Sequence, residues 1–261
     1  MIRRGQMNNP FSSKIYHFLW SSIDLIFPPH CAGCDLLGYR WCSTCDSKVH
    51  PISLPICDKC GSPKHKSKSI DDQCSTYLES IEYIRSYSIY EEPLSTAIKK
   101  LKYQRNVGIA ETLAFYFVEL YNNINQDVDI IIPVPLSSKR FRDRGYNQSS
   151  LIAKPFSLAI GRPMKTQALF RHKETKSQVG LSREQRSENV ADSFIADKSQ
   201  VLGKTIVLID DVTTTGSTLE ACAKALKKEG AKTIVGLTLA RAVSTKYGFS
   251  DFISNQVTTK T

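Results

Sequence analysis

Positions 205–210 read Thr-Ile-Val-Leu-Ile-Asp, β-branched and apolar until the closing acid. A run of this length with no polar interruption predicts a parallel strand buried on both faces, with Asp210 and Asp211 at its C-terminal end. Thr213, Thr214, Thr215, Gly216 and Ser217 follow as a hydroxyl-rich turn, after which Leu219, Cys222, Ala223 and Leu226 recur at helical spacing. Apolar runs at 130–136 and 233–239 predict two more buried strands, the first ending in a Pro-rich turn. At 81–90 polar and apolar positions alternate instead, which predicts an antiparallel, half-exposed strand. Helical spacing links Leu94, Ile98 and Leu101, and again Ile109, Leu113, Phe117 and Leu120. Asn147 and Gln148 open a further helix, in which Pro155 is expected to cause a kink. Strands alternating with helices predict an α/β fold, a parallel sheet flanked by helices.

The turn after the 205–210 strand carries the chemistry. Gly216 allows positive φ and close backbone approach, and a helix N-terminus offers unpaired N–H groups and a positive dipole end to a phosphate. Two carboxylates would repel that phosphate at contact distance. The fitting ligand therefore has a phosphate at one end and hydroxyls or a bound cation at the other, as ribose 5-phosphate does. The alternative is a surface loop whose hydroxyls only cap the helix. Lys139, Arg140, Arg142 and Arg144, after the 130–136 strand, fall on the same carboxyl edge of the sheet or else form a charged exposed turn. The basic stretch 171–186 lacks an apolar period and suits a flap over a ligand.

Eight cysteines change the picture at the front of the chain, since seven fall between Cys31 and Cys74. Cys222 reads as a small core residue. Cys31, Cys34, Cys42 and Cys45 form two C-x-x-C knuckles, a complete tetrahedral thiolate set for structural Zn2+. Cys57, Cys60 and Cys74 lack a fourth thiol, because Tyr77 stands where one would fall, and His65 is the available substitute. Too few apolar residues lie between Cys31 and Asp72 to build a core, so metal must hold this region. The polar stretch 64–72 reads as a loop. Residues 15–27 suggest an amphipathic helix, interrupted by His17, Ser21, Ser22 and Asp24 and too short to span a membrane. With neither a transmembrane segment nor a signal sequence, a cytoplasmic location is expected, where disulfides are disfavoured.

A net charge of +10 over 261 residues favours polyanionic partners, nucleic acid or phosphorylated small molecules. Lys99, Lys100, Lys102 and Arg105, clustered at the end of one helix, are the candidate nucleic-acid contacts.

The order apolar run, Asp210-Asp211, threonine- and glycine-rich loop resembles the type I phosphoribosyltransferases. That resemblance implies that Asp210 and Asp211 hold the ribose hydroxyls of phosphoribosyl pyrophosphate, that 213–217 hold its 5-phosphate, and that Mg2+ accompanies it. Pro135, Arg140 and Arg144 would then belong to the pyrophosphate loop. With the cysteine knuckles, the P-V-P-L…R-G-Y-N-Q stretch and K-S-Q-V-G-L-S-R-E-Q-R, the chain over about residues 20–243 resembles the ComF family. The resemblance implies a cysteine-rich zinc-ribbon module joined to a phosphoribosyltransferase-like domain, with a part in handling single-stranded DNA and possible contact with DNA-uptake machinery. The expected organisation is an N-terminal helix at 1–29, a zinc-ribbon module at 30–78, the phosphoribosyltransferase-like domain at 79–243 and a polar tail at 244–261. Two other functions stay open. One is an active transferase of nucleotide or amine metabolism, with Arg140 and Arg144 clamping the leaving pyrophosphate. The other is a non-catalytic adaptor built on the zinc module.

Overall fold

The computed structural model describes residues 28–65, 68–69, 74–124, 126–172 and 193–243. The expected N-terminal helix, most of the 171–186 flap and the 244–261 tail lie outside the described residues.

In chain order the elements are α1 (Ser43–Asp46), β1 (Lys64–His65), β2 (Lys68–Ser69), β3 (Tyr83–Ile89), α2 (Leu94–Tyr103), α3 (Ile109–Asn122), β4 (Ile130–Pro133), α4 (Ser138–Arg144), α5 (Gln148–Ile160), β5 (Leu169–Arg171), β6 (Phe194–Ala196), α6 (Lys198–Val201), β7 (Thr205–Thr213), α7 (Ser217–Lys228) and β8 (Thr233–Arg241). Four strands form the central sheet in the order β3-β8-β7-β4, and every neighbouring pair is parallel. β7 is central, and its apolar residues serve both faces by the period-two alternation of a strand. Val207 and Ile209 pack with buried residues of α2, α3 and α5, whereas Ile206 and Leu208 pack with Leu219, Cys222, Ala223 and Leu226 of α7. Cys222 is thus a core residue, as its spacing predicted.

Three expectations are corrected. The 81–90 strand is parallel, not antiparallel, and it is mostly buried, because its serines are core positions rather than solvent positions. The Ser86 and Thr238 hydroxyls hydrogen-bond each other at 2.7 Å across β3 and β8. The basic segment after β4 is helical over 138–144, capped by Ser137 and ended by Gly145 at φ 81°. The polar stretch 64–72 is not all loop, since β1 and β2 pair antiparallel within it. Pro155 lies inside α5, which continues past it to Ile160.

The cysteine-rich segment lies against β3, the outer strand of the sheet. Ile52 N–H donates to the Tyr87 carbonyl at 2.7 Å and Ile84 N–H to the Lys59 carbonyl at 2.8 Å, covering a strand that would otherwise be an open edge. The first knuckles also dock on α3. Trp41 donates to the Tyr116 hydroxyl at 2.9 Å, which donates to Asp46 at 2.7 Å, and Tyr87 stacks on Tyr116 with centroids 4.5 Å apart.

Candidate sugar-phosphate and metal sites

β7 carries its two acids to the carboxyl edge of the sheet. Asp211 shares the face of Val207 and Ile209, on which α2 packs, and there Lys102 meets it with Nζ 2.8 Å from Oδ1. Asp211 is only 3% exposed, and its Oδ2 is buried with no hydrogen-bond partner among the described residues. Burial works against the Lys102 ammonium, but the Asp211 carboxylate holds its pKa above the ordinary lysine value. Asp210 Oδ1 accepts from the Ser149 hydroxyl of α5 at 3.0 Å and from the Asp211 N–H at 2.9 Å. Burial and the neighbouring Asp211 carboxylate push its pKa up to about 7, against the pull of Lys102.

The turn beyond the acids has the conformation its sequence implied. Gly216 has φ 89° and is the N-cap of α7, with no side-chain cap bond, so the helix opens on backbone groups. A side chain at Gly216 would run into Ile84 Cδ1 at 2.6 Å. Thr215 and Ser217 hydroxyls lie 2.7 Å apart, Thr214 is exposed, and Thr213 is buried.

The basic candidates do not share one face. Lys102 points to Asp211, Lys100 to Asp35 of the cysteine-rich segment at 2.5 Å, and Lys99 lies 3.8 Å from Glu92. Arg105 is exposed, at φ 54°. Pro135 lies half-buried between β4 and α4, beside Val134, whose carbonyl accepts from Asn147 at 2.9 Å. Arg140 is half-buried on α4. Arg144 donates to Gln148 at 2.7 Å and lies over the Tyr103 ring, 5.0 Å from its centroid. Tyr103 is 70% exposed at the end of α2 and Phe141 51% exposed on α4, giving this surface stacking faces beside cations.

Sequence reading missed Ser149 and Arg241. The apolar run at 233–239 stops short of Arg241, but Arg241 is the final residue of β8, in register with Thr213, and 2% exposed. The available signal was its position immediately beyond an apolar parallel strand, on the same edge as the acids.

The sulfurs of Cys31, Cys34, Cys42 and Cys45 all lie within 4.8 Å of one another, as do those of Cys57, Cys60 and Cys74. A tetrahedral Zn–S bond of about 2.3 Å puts ligand sulfurs about 3.8 Å apart. Cys34 and Cys42 sulfurs are 3.6 Å apart, and those of Cys57 and Cys74 are 3.3 Å apart. Burial opposes the Cys31 thiolate, yet N–H groups of Cys42, Cys34 and Gly33 turned onto its sulfur lower its pKa to about 6. The first set fits a closed structural zinc site, and the second supplies three of the four ligands such a site takes. His65 lies in β1, but its side chain is outside the described residues. Among the described residues no helix is long and apolar enough to cross a membrane.

Comparison with known proteins matches two parts of the chain to known domain families. Residues 22–76 match the double zinc ribbon domain and residues 101–257 the phosphoribosyl transferase domain. The chain is 32% identical over 221 residues to competence protein F of Haemophilus influenzae, covering 82% of this chain and 96% of that protein. It is 31% identical over 207 residues to the DNA utilization protein YhgH of Salmonella typhimurium, covering 77% of this chain and 90% of that protein. With competence protein ComFC of Bacillus subtilis it shares 27% identity over 209 residues, covering 77% and 84% of the two chains. The chain therefore belongs to the family of competence protein F, ComFC and YhgH, in which a cysteine-rich double zinc ribbon is joined to a phosphoribosyl transferase domain.

Proposed function

We propose that this protein binds phosphoribosyl pyrophosphate at the carboxyl edge of its sheet and handles single-stranded DNA in DNA uptake. The observation that carries the first part is Asp211, a buried carboxylate with one oxygen on Lys102 and the other without a hydrogen-bond partner among the described residues. An unmet buried acceptor is costly, and a sugar hydroxyl or a hydrated cation would satisfy it. Asp210 and Asp211 would hold the ribose hydroxyls, and the 213–217 turn at the N-terminus of α7 would hold the 5-phosphate. Mg2+ carried with the pyrophosphate would be held on the protein side by these two acids, and it would neutralise charge on the leaving group. Lys102 balances the charge of Asp211 and leaves Oδ2 for the ligand. Arg140, on the basic helix after β4, supplies charge for the pyrophosphate. Titration calorimetry with phosphoribosyl pyrophosphate and magnesium should give saturable binding, and a flat trace would remove this reading.

The DNA part is supported by the names of the relatives, competence proteins and DNA utilization proteins, and by the surface where α4 meets the end of α2. Lys139, Arg142 and Phe141 are exposed on α4, and Arg105 is exposed just beyond Tyr103, whose ring lies under Arg144. Cations that follow a backbone next to aromatic faces suit single strands of any sequence. Lys99, Lys100 and Lys102 suit it less, because they point in different directions, to Glu92, Asp35 and Asp211. Replacing Lys139 and Arg142 by alanine should flatten the log–log salt dependence of oligonucleotide binding by about 1.4, at roughly 0.7 per phosphate contact. A slope unchanged in fluorescence anisotropy across a salt series would move the strand path away from α4.

A further inference from the structure

The Cys57–Cys60–Cys74 set touches the sugar-phosphate turn, and one side chain makes the connection. Arg241 sits at the carboxyl end of β8, where its guanidinium donates through Nη1 to the Thr214 carbonyl at 2.9 Å and through Nη2 to the Cys60 carbonyl. A guanidinium is a rigid planar fork, so two acceptors held by it are fixed relative to each other. One acceptor is in the turn after Asp211, and the other is the carbonyl of a cysteine in the three-thiol set.

A second contact reaches the same turn from Leu78 and from Ile84 of β3. Gly216 packs against Ile84 and Leu78 so closely that a Cβ there would meet Ile84 Cδ1 at 2.6 Å and Leu78 Cδ2 at 3.3 Å. Leu78 N–H is bonded to the Cys74 carbonyl at 2.9 Å, and Ile84 N–H to the Lys59 carbonyl at 2.8 Å. The floor beneath 214–216 is therefore built from residues bonded to Cys74 and to Lys59, the neighbour of Cys60. Joining Cys74 to Cys57 and Cys60 brings Leu78 and the Cys60 carbonyl together beneath the turn.

We propose that Arg241 is a positioning residue of the sugar-phosphate site, and that through it the Cys57–Cys60–Cys74 set holds the 213–217 turn in its phosphate-accepting shape. This rests on the reading of that turn as the 5-phosphate site. A trans peptide points its C=O and N–H in opposite directions. Anchoring the Thr214 carbonyl on Arg241 therefore turns the Thr215 N–H away from the zinc ribbon, as a donor to an anion needs. Coupling between two sites is reciprocal, so the sugar-phosphate ligand must also stabilise the three-thiol set.

The test compares wild-type zinc-loaded protein with Arg241→Lys, which keeps the buried charge but cannot span both carbonyls. Calorimetry with phosphoribosyl pyrophosphate and magnesium should show a loss of roughly tenfold to hundredfold in Arg241→Lys, the scale of a misplaced binding group. In the wild type, saturating phosphoribosyl pyrophosphate should slow alkylation of Cys57, Cys60 and Cys74, read by peptide mass spectrometry. Alkylation of Cys31, Cys34, Cys42 and Cys45 should not change, and Arg241→Lys should lose the protection. A merely structural arginine would not produce ligand-dependent protection of one cysteine set. Equal affinity in the two proteins, or protection of both sets alike, overturns the proposal, and the wild-type alkylation arm decides it even if the variant does not fold. If the wild type binds no phosphoribosyl pyrophosphate, the sugar-phosphate reading fails separately. Amide exchange at 213–217 then decides the coupling: faster exchange in Arg241→Lys, or in wild type stripped of metal, supports it, and unchanged exchange in both overturns it.

Discussion

Replacing Asp210 and Asp211 together by asparagine is expected to weaken phosphoribosyl pyrophosphate binding by about a hundredfold or more. Each charged acceptor to a ribose hydroxyl contributes about 1.5–3 kcal/mol, and a factor of ten corresponds to about 1.4 kcal/mol. The double variant is best made together with Lys102→Met and compared with wild type, because Asp211→Asn alone would strand the Lys102 ammonium beside a neutral amide. Because Asp211 forms a 2.8 Å ion pair with Lys102, the double change also removes a buried contact, so folding is checked beside affinity. The single Asp210→Asn variant adds a pH signature. With its pKa pushed up to about 7, Asp210 gains a proton as pH falls through that value and loses acceptor charge. Wild-type affinity should therefore fall between about pH 8 and pH 6 more steeply than the affinity of Asp210→Asn, which has no such group to titrate. Calorimetry at three pH values checks both points, and identical affinities for wild type and variant would remove the acids from the site.

Lys102→Met should destabilise the protein by about 3–5 kcal/mol, the usual cost of removing one partner from a buried pair. The side chains of Lys102 and Asp211 are 18% and 4% exposed, so solvent offers Asp211 little compensation. For a chain of this size that corresponds to a fall of roughly 6–20 °C in melting temperature. Lys102→Met with Asp211→Asn should recover most of the loss, since the charge left behind rather than the missing contact carries the cost. A loss below about 1 kcal/mol in the single variant would class the pair with surface ion pairs. Lys99→Ala, whose side chain is 55% exposed with its ammonium 3.8 Å from Glu92, is the control and should change stability little.

Sequence alone determined the parts of this protein whose cause is local. The unbroken run from Thr205 could only be a strand buried on both faces, and β7 is that strand, extended to Thr213. Gly216 between Thr215 and Ser217 implied a left-handed turn into a helix, and φ 89° there is what a residue without Cβ allows. The C-x-x-C spacing implied gathered thiols, and even the incomplete set closes to within 4.8 Å. What only the tertiary structure decided involves partners far apart in the chain. The direction of β3 depends on β8, more than 140 residues away, because an alternating pattern reads the same in parallel and antiparallel pairing until the neighbour is known. Lys99, Lys100 and Lys102 look like one basic patch in sequence, but successive helical positions point in different directions. They end on Glu92, Asp35 and Asp211 respectively. Arg241 looks like a strand-ending surface residue until the zinc ribbon closes over the end of β8 and buries it. Local propensity decides backbone shape over a few residues. The partner of a charge is decided by which distant elements pack against it, and in this protein those partners assemble the site.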